Sequence, residues 1–487
     1  MKRLADLTGN IKVLAATGNM DLEINGITSD SRHAGPGILF VAVRGTKTDG
    51  HLYAPGAVEA GSPAVVCEHA PEGGFPGAAT IVVDDSATAL GFLASAFYGD
   101  PSASLRLVGV TGTNGKTTIA TLLYRMFMSL GYKCGLLSTV CNYVHSRQSE
   151  ATHTTPDPVA LNAILAEMVA EGCEYAFMEV SSHAVDQKRI SGLKFIGGIF
   201  TNLTHDHLDY HKTFDNYLRA KKEFFDSLDR EAFALVNADD RNGKVMVQNC
   251  PAKVYTFSTR GVSAFRASVV ELRLDGMLLK IDGNDLWTPF MGEFNASNLL
   301  AVYAATLLLG ANREEALTTL STLTPVAGRL EIVRSAGGIT GVVDYAHTPD
   351  ALKNVTESIN RIRQGAVKLI TIVGAGGDRD RTKRPLMASI AAAASDMVIL
   401  TSDNPRTEDP EKILDDMEAG LDPVLRRRML RISDRRSAIR TAVKMAGQGD
   451  LVLIAGKGHE TYQEVNGVRH HFDDREELRN AFLEINS

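Results

Sequence analysis

Short apolar runs broken by glycine, proline and polar clusters recur along the whole chain, and their spacing predicts alternating strands and helices. In the N-terminal part, Ile38-Leu39-Phe40-Val41-Ala42-Val43, Ala64-Val65-Val66-Cys67 and Thr80-Ile81-Val82-Val83 alternate with turn clusters, the pattern of a small mixed α/β unit. A second region opens with the short strand pattern from Leu105 to Val110, a glycine turn and an apolar helical run from Ile119 to Leu130. Tyr175-Ala176-Phe177-Met178-Glu179-Val180 reads as a buried parallel strand ending in a carboxylate, and Gly197 to Leu203 reads as another. An Ala/Leu-rich helix is expected from Leu299 to Leu309, with Asn298 either its N-cap or a reader of an adenine edge. Beyond it, apolar runs at Gly341–Val343, Leu369–Val373, Met397–Leu400 and Leu451–Ala455 are separated by helical stretches, which predicts a doubly wound, Rossmann-like sheet.

Length and composition turn this pattern into domains. With 487 residues the chain exceeds one ordinary core, and about three domains are expected. The turn signal Tyr98-Gly99-Asp100-Pro101 and the linker chemistry before Gly328 divide it into residues 1–100, 101–327 and 328–487. A net charge of −7 leaves no basic footprint for nucleic acid. Five cysteines without a C-x-x-C pair suggest reduced, buried thiols and neither a disulfide framework nor a zinc knuckle. There is no apolar leader at Met1-Lys2-Arg3-Leu4 and no stretch of membrane-spanning length, so a cytoplasmic, monomeric enzyme with no membrane insertion is expected.

The candidate chemistry begins at the glycine turn. Gly112-Thr113-Asn114-Gly115-Lys116-Thr117-Thr118 lies between a strand and a helix, where backbone N–H groups and the helix dipole face an anion. Lys116 is placed to meet terminal phosphates and Thr117 to hold Mg²⁺, so ATP is the expected nucleotide. The position where such loops usually carry their first glycine is Val110. Glu179, at the carboxyl end of its strand, stands where folds of this type place Mg²⁺ ligands. His205, His207 and His211 match no common zinc spacing, and one imidazole beside Mg²⁺ suits a phosphate site better. Hydroxyls and a lysine in Thr28–Arg32 and Arg44–His51 could bind a phosphorylated ligand or be solvated turns.

Gly112–Thr118, Glu179-Val180-Ser181-Ser182-His183, and Thr201-Asn202-Leu203 with Asp206-His207-Leu208-Asp209 together resemble the ATP-dependent Mur ligases of peptidoglycan synthesis, whose relatives include folylpolyglutamate synthetase. The likeness extends over nearly the whole chain and implies three α/β domains: a uridine-binding unit, a P-loop ATPase-type domain and a C-terminal amino-acid-binding domain. By resemblance, Lys221 is carbamylated and joins Glu179 and His207 around a second Mg²⁺, while Lys116 and Arg329 complete the catalytic set. Asn295 and Asn298 lie near the nucleotide in that family, and Asp344 resembles its ribose-binding aspartate. Ser29, Ser31, Thr46, Lys47 and Thr48 resemble the uridine contacts, and Thr154, Thr155, Ser181, Gln187 and Arg189 those to the muramoyl-peptide.

Three strand-end loops in the last domain carry arginines, acids and amides: Gly376–Arg381, Ser402–Arg406 and Gly456–Glu460. Arginine forks hold carboxylates and acids receive ammonium, as an amino acid charged at its far end requires. Asp403-Asn404-Pro405-Arg406 resembles the signature of the family members that add meso-diaminopimelate. The resemblance then gives Arg379 and Arg406 the distal carboxylate, with Glu460 and the Gly456 carbonyl at the distal ammonium. The implied reaction is ATP-dependent addition of diaminopimelate to a UDP-muramoyl dipeptide through an acyl phosphate. A folylpolyglutamate synthetase and an ATP-switched binding protein are the competing readings, and the first would need neither the uridine unit nor the Asp403–Arg406 loop.

Overall fold

The computed structural model describes residues 1–46, 48–151, 153–204, 206–363 and 366–485, so Lys47, Thr152 and His205 lie outside the described residues. Three main sheets follow one another along the chain. The first has five strands, in the order Val13–Thr17, Ala79–Val83, Ala64–Cys67, Ile38–Val41, Gly26–Thr28, parallel except for the first. Its neighbouring strands Gly26–Thr28 and Ile38–Val41 run in the same direction, so the loops that follow both leave at one end of the sheet.

The central sheet has eleven strands, with Arg106–Thr111 between Tyr175–Glu179 and Gly197–Phe200, all parallel. Alternation sends side chains into two cores. Val108, Val110, Tyr175 and Phe177 pack toward Ile119, Leu122 and Phe127 of the helix Lys116–Ser129. Leu107, Ala176 and Met178 pack toward Leu161, Leu165 and Phe224 on the other face. Covered on both sides, these strands read as continuous apolar runs. Beyond Lys253–Ser258 the sheet continues as an antiparallel meander, Phe265–Arg273, Gly276–Ile281 and Asn284–Thr288.

Two expected boundaries are corrected. The helix assigned to Leu299–Leu309 runs over Glu293–Leu308 and is capped by Gly292, so Asn298 lies inside it and is not its N-cap. The strand expected to reach Leu203 stops at Phe200, because Thr201 and Asn202 turn to bind the glycine loop.

The last sheet has the order Glu331–Arg334, Thr340–Asp344, Leu451–Ala455, Leu369–Val373, Met397–Leu400, Met429–Arg431, parallel except at its first pair. Leu352, Val355 and Met387 cover one face, and Ile439, Val443, Leu478 and Phe482 the other. This is the doubly wound arrangement expected from the four apolar runs, and the loops at the carboxyl ends of its parallel strands face the same way.

Candidate active site

The glycine loop is held by the turn that follows the strand Gly197–Phe200. Asn202 O accepts from Thr113 N at 2.8 Å, and Asn202 Oδ1 accepts from Asn114 N at 2.9 Å. Thr201 Oγ1 donates to Asn114 O at 2.6 Å. A Cβ at Gly112 would stand 1.9 Å from Thr201 Oγ1, with φ at +148°, so the close approach requires glycine. Gly115 precedes the helix Lys116–Ser129, and Thr117 and Thr118 sit buried in its first turn.

Two lysines point at one carbonyl. Lys116 Nζ donates to Gly112 O at 3.0 Å and Thr113 O at 2.8 Å, and Lys221 Nζ donates to Gly112 O at 2.8 Å. Lys221 is 1% exposed and lies over the Tyr217 ring, whose hydroxyl meets Thr113 Oγ1 at 3.0 Å. Burial, reinforced by the Lys116 cation, pushes the Lys221 ammonium well below its ordinary range, against the pull of Asp206. Burial also lowers Lys116, with Glu179 and Asp206 opposing.

Glu179 is fully buried at the end of its strand. Its Oε1 accepts from Thr139 N at 2.7 Å, whereas Oε2 is buried without a partner among the described residues. His207, in a left-handed conformation at φ 55°, stands with Nε2 3.3 Å from Asp206 Oδ2 and its ring perpendicular to that of His183. Among the described residues no three His, Cys, Asp or Glu side chains form a ready-made metal cage.

The five residues matched to the muramoyl-peptide form one network beside Glu179. Thr155 Oγ1 donates to Glu179 O at 2.8 Å and accepts from Ser181 N, and Thr154 Oγ1 accepts from Thr139 Oγ1 at 3.0 Å. Arg189 donates to Thr155 O at 2.8 Å and forks onto Gln187 Oε1. Ser29, Ser31, Thr46 and Thr48 stand instead on the two loops at one end of the N-terminal sheet, outside the lining of the central cleft.

That cleft, of about 640 Å³, opens between the central and last sheets and is lined by Asn114, Thr118, Asn298, Arg329, Asp344 and His347 among others. Asn298 Oδ1 lies against Gly115, and its amide nitrogen donates to Asn295 Oδ1, which fixes both amides. Asn295 in turn donates to Met291 O. Arg329 reaches across to donate to Thr117 Oγ1 at 3.2 Å while lying over the Tyr345 ring, and Asn114 Nδ2 donates to Asp350 Oδ2 at 3.1 Å. Asp344, pushed up to about 6 by burial against the opposing Arg329, accepts from Leu330 N.

The third group lies at the strand ends of the last sheet. Asn404 Oδ1 accepts from buried Lys457 Nζ and from Glu464 N, both at 2.9 Å, and Asn404 Nδ2 donates to Glu460 Oε2 at 2.9 Å. Arg406, at φ 52°, donates through Nη1 to Gly377 O at 2.6 Å. Its backbone N–H and C=O pair with Glu464 O and Asn466 N of the hairpin Tyr462–Val465 and Val468–His471. Arg379 is exposed, its stem and the Arg406 guanidinium flanking Gly376. Gly456 presses on Asp403, and Pro405 O leaves no room for a Cβ at Gly377. Arg381, one of the arginines expected to face a ligand, is paired with Glu408 and Asp416.

Sequence reasoning missed Asn202, Tyr217, His347, Arg435 and Lys457. Of these, Asn202 and Lys457 lay inside motifs already singled out, while nothing in the spacing marked Tyr217 or Arg435.

Comparison with known proteins covers the chain from end to end. Family models described as "Mur ligase family, catalytic domain", "Mur ligase middle domain" and "Mur ligase, glutamate ligase domain" match residues 23–98, 110–306 and 328–458. A protein of Bacteroides thetaiotaomicron named UDP-N-acetylmuramoyl-L-alanyl-D-glutamate--2,6-diaminopimelate ligase is 56% identical over 98% of this chain and 99% of its own. Its namesake in Phocaeicola vulgatus is 57% identical over 99% of both chains. A solved structure carrying the same name superposes with a TM-score of 0.69 at 33% identity, covering 100% of this chain and 99% of its own. The Mycobacterium tuberculosis folylpolyglutamate synthase in complex with ADP and AMPPCP shares the fold, with a TM-score of 0.62 at 18% identity, over 76% of this chain.

Proposed function

The chain belongs to the Mur ligase family, and from that premise we propose that it is the ATP-dependent ligase joining meso-2,6-diaminopimelate to UDP-N-acetylmuramoyl-L-alanyl-D-glutamate in peptidoglycan precursor synthesis. The observation that carries the reading is the end-to-end likeness, above half identity, to relatives named for that reaction. The Arg379 and Arg406 loops beside Glu460 supply the matching chemistry: forks for a distal carboxylate and an acid for a distal ammonium. We assign residues 1–100 to the uridine nucleotide, 101–327 to ATP and 328–487 to the incoming amino acid.

A carboxylate oxygen of the terminal D-glutamate attacks the γ-phosphorus of ATP and ADP leaves. The amine of diaminopimelate, having lost a proton, then adds to the acyl carbon, and the tetrahedral intermediate collapses with release of phosphate. Two anions meet in the first step, so the task of the chain is positioning and charge neutralisation. Lys116 trades its carbonyl partners for the terminal phosphates, and Arg329 approaches them from the last domain. Asn295 and Asn298 support the nucleotide side of the loop, and Asp344 the ribose. Thr154, Thr155, Ser181, Gln187 and Arg189 hold the peptide arm beside Glu179, while Ser29, Ser31, Thr46, Lys47 and Thr48 bind the uridine nucleotide.

The unpaired, buried Glu179 Oε2 fits a cation better than any neutral neighbour. Thr117, Glu179, His207 and Lys221 as its carbamate would hold Mg²⁺, which supplies the screening needed where carboxylate and phosphate approach. A buried amine depressed as Lys221 is gives up its proton more readily than an ordinary lysine, and the neutral amine is the form that adds CO₂.

The test is phosphate release with the UDP-muramoyl dipeptide, ATP and either meso-diaminopimelate or L-lysine. Release is expected with the first, and kcat/KM for lysine is expected to be lower by roughly 10⁴, since lysine leaves both arginines unpaired. Equal turnover with lysine removes the specificity assignment, and no release with either removes the function.

A further inference from the structure

One fully buried cation has no part in the reading above. Arg384, on the helix Lys383–Ala394, is 0% exposed and sits behind the two loops that carry Arg379 and Arg406. Its Nη2 donates to Glu408 Oε1 at 2.7 Å and to Gly376 O at 3.2 Å. Its Nη1 donates to Glu408 Oε2 at 3.0 Å and to Asp416 Oδ2 at 2.8 Å. Glu408 Oε1 also accepts from Asp378 N at 2.6 Å, and Asp378 accepts from the Thr407 hydroxyl at 2.8 Å. The chain is thereby cross-braced: Gly376–Asp378 leads directly into Arg379, and Thr407–Glu408 follows directly on Arg406.

Both loops need such a brace. Asp378 at φ 55° and Arg406 at φ 52° are left-handed, a conformation that non-glycine residues hold only when the surroundings fix it. A carboxylate is recognised by two guanidinium groups only at a set separation and angle, and that separation is the quantity the brace controls.

We propose that Arg384, acting through Glu408, is a positioning residue that sets the spacing of Arg379 and Arg406 and thereby selects an amino acid with a distal carboxylate over one without it. The inference rests on the diaminopimelate reading. Arg384 touches no substrate; a purely structural role would disturb all three substrates alike, whereas spacing of the two forks concerns only the distal carboxylate. Glu408 is held near 2 by its hydrogen bonds from Arg384, so the brace stays ionised across the working range.

Glu408→Gln, at a partly exposed position, keeps the shape and removes the charge-assisted fork. It is expected to raise KM for diaminopimelate about tenfold, while kcat and the KM values for ATP and the UDP-dipeptide change by less than about twofold. Turnover of lysine should not fall, so the preference between the two amino acids narrows. Arg384→Met should give the same split more strongly, and Arg384→Lys, which keeps charge but loses the planar fork, should not restore it. Should Arg384→Met fail to fold, as judged by thermal unfolding, Glu408→Gln decides alone. An unchanged KM for diaminopimelate in Glu408→Gln, or an equal rise for all three substrates, overturns the proposal. Wild-type protein that releases no phosphate with diaminopimelate overturns the underlying reading instead.

Discussion

Lys116 and Lys221 share the carbonyl of Gly112, and like charges at hydrogen-bond distance from one oxygen repel unless one of them gives up its proton. The deeper lysine is the one that burial depresses further, which makes it the better nucleophile toward CO₂. Lys221→Ala is therefore expected to lose at least about 10²-fold in kcat, the scale on which a misplaced charge at a reacting centre is felt. Formate or acetate at millimolar concentration should restore part of it, because either can occupy the place proposed for a carbamate on Lys221; activity insensitive both to the substitution and to the added acid would remove the assignment. Lys221 was legible only through resemblance. In the sequence it is one of a Lys-Lys pair on an amphipathic helix, and only the fold shows that it is buried against the glycine loop while half-buried Lys222 pairs with Asp226 one turn on. Lys457 is a parallel case, a lysine between two glycines that the fold buries completely against Asn404 and Glu460.

At the scale of elements, pattern identified the strands that are covered on both faces and lost those that are not. The strands at Tyr175–Glu179 and Leu369–Val373 were plain because every residue in them but the central Thr371 is apolar or at a strand end. The meander Phe265–Thr288 alternates weakly, with charged residues on its open face, and gave no comparable signal. The helix Glu293–Leu308 was read too short because Glu293, Asn295 and Asn298 interrupt its start: Asn298 lies against Gly115 of the loop and Asn295 accepts from Asn298. Two helices of the last domain are fastened by a pair invisible to pattern. Arg435, on Arg435–Met445, forks onto Asp474, which opens Asp474–Ile485, at 2.7 Å in both arms, with both side chains 0% exposed. Arg435 also donates to Ala455 O. Asp474→Asn is expected to cost about 3–5 kcal/mol, since it strands a buried guanidinium. Urea unfolding of the variant checks this, and a loss under about 1 kcal/mol would mean that water reaches the site.

Across the whole molecule, the central and last sheets meet through a few polar bridges, and two histidines at that junction tie its stability to pH. His347 is held down to about 4 by burial and the Lys383 cation, with Asp206 opposing and Arg329 adding to the shift. His459 is held to about 3 by burial and the Arg329 and Arg475 cations, with Asp473 opposing. Both are neutral when folded and take up a proton near pH 6.5 when unfolded, so between about pH 6.5 and 4 the unfolded chain binds more protons and stability falls with acidification. Asp344, raised to about 6, and Asp350, also raised by burial, work the other way, but burial lowers His183, His207 and His211 as well, and these add to the histidine side. The melting temperature of the unliganded protein should therefore drop between pH 7 and pH 5, and a flat profile would show that the junction opens before it titrates. The order of the chain adds a last consequence. Arg406 takes both of its backbone partners from Glu464 and Asn466, and the Asn404 side-chain oxygen accepts from Lys457 Nζ and Glu464 N. During synthesis the nucleotide loop leaves the ribosome long before that hairpin exists, and domains fold largely as they emerge. The Arg406 and Asn404 loop, made about sixty residues earlier, thus reaches its folded shape only when the end of the chain has been made, and a chain stalled ahead of the hairpin would leave that loop without the partners that fix it.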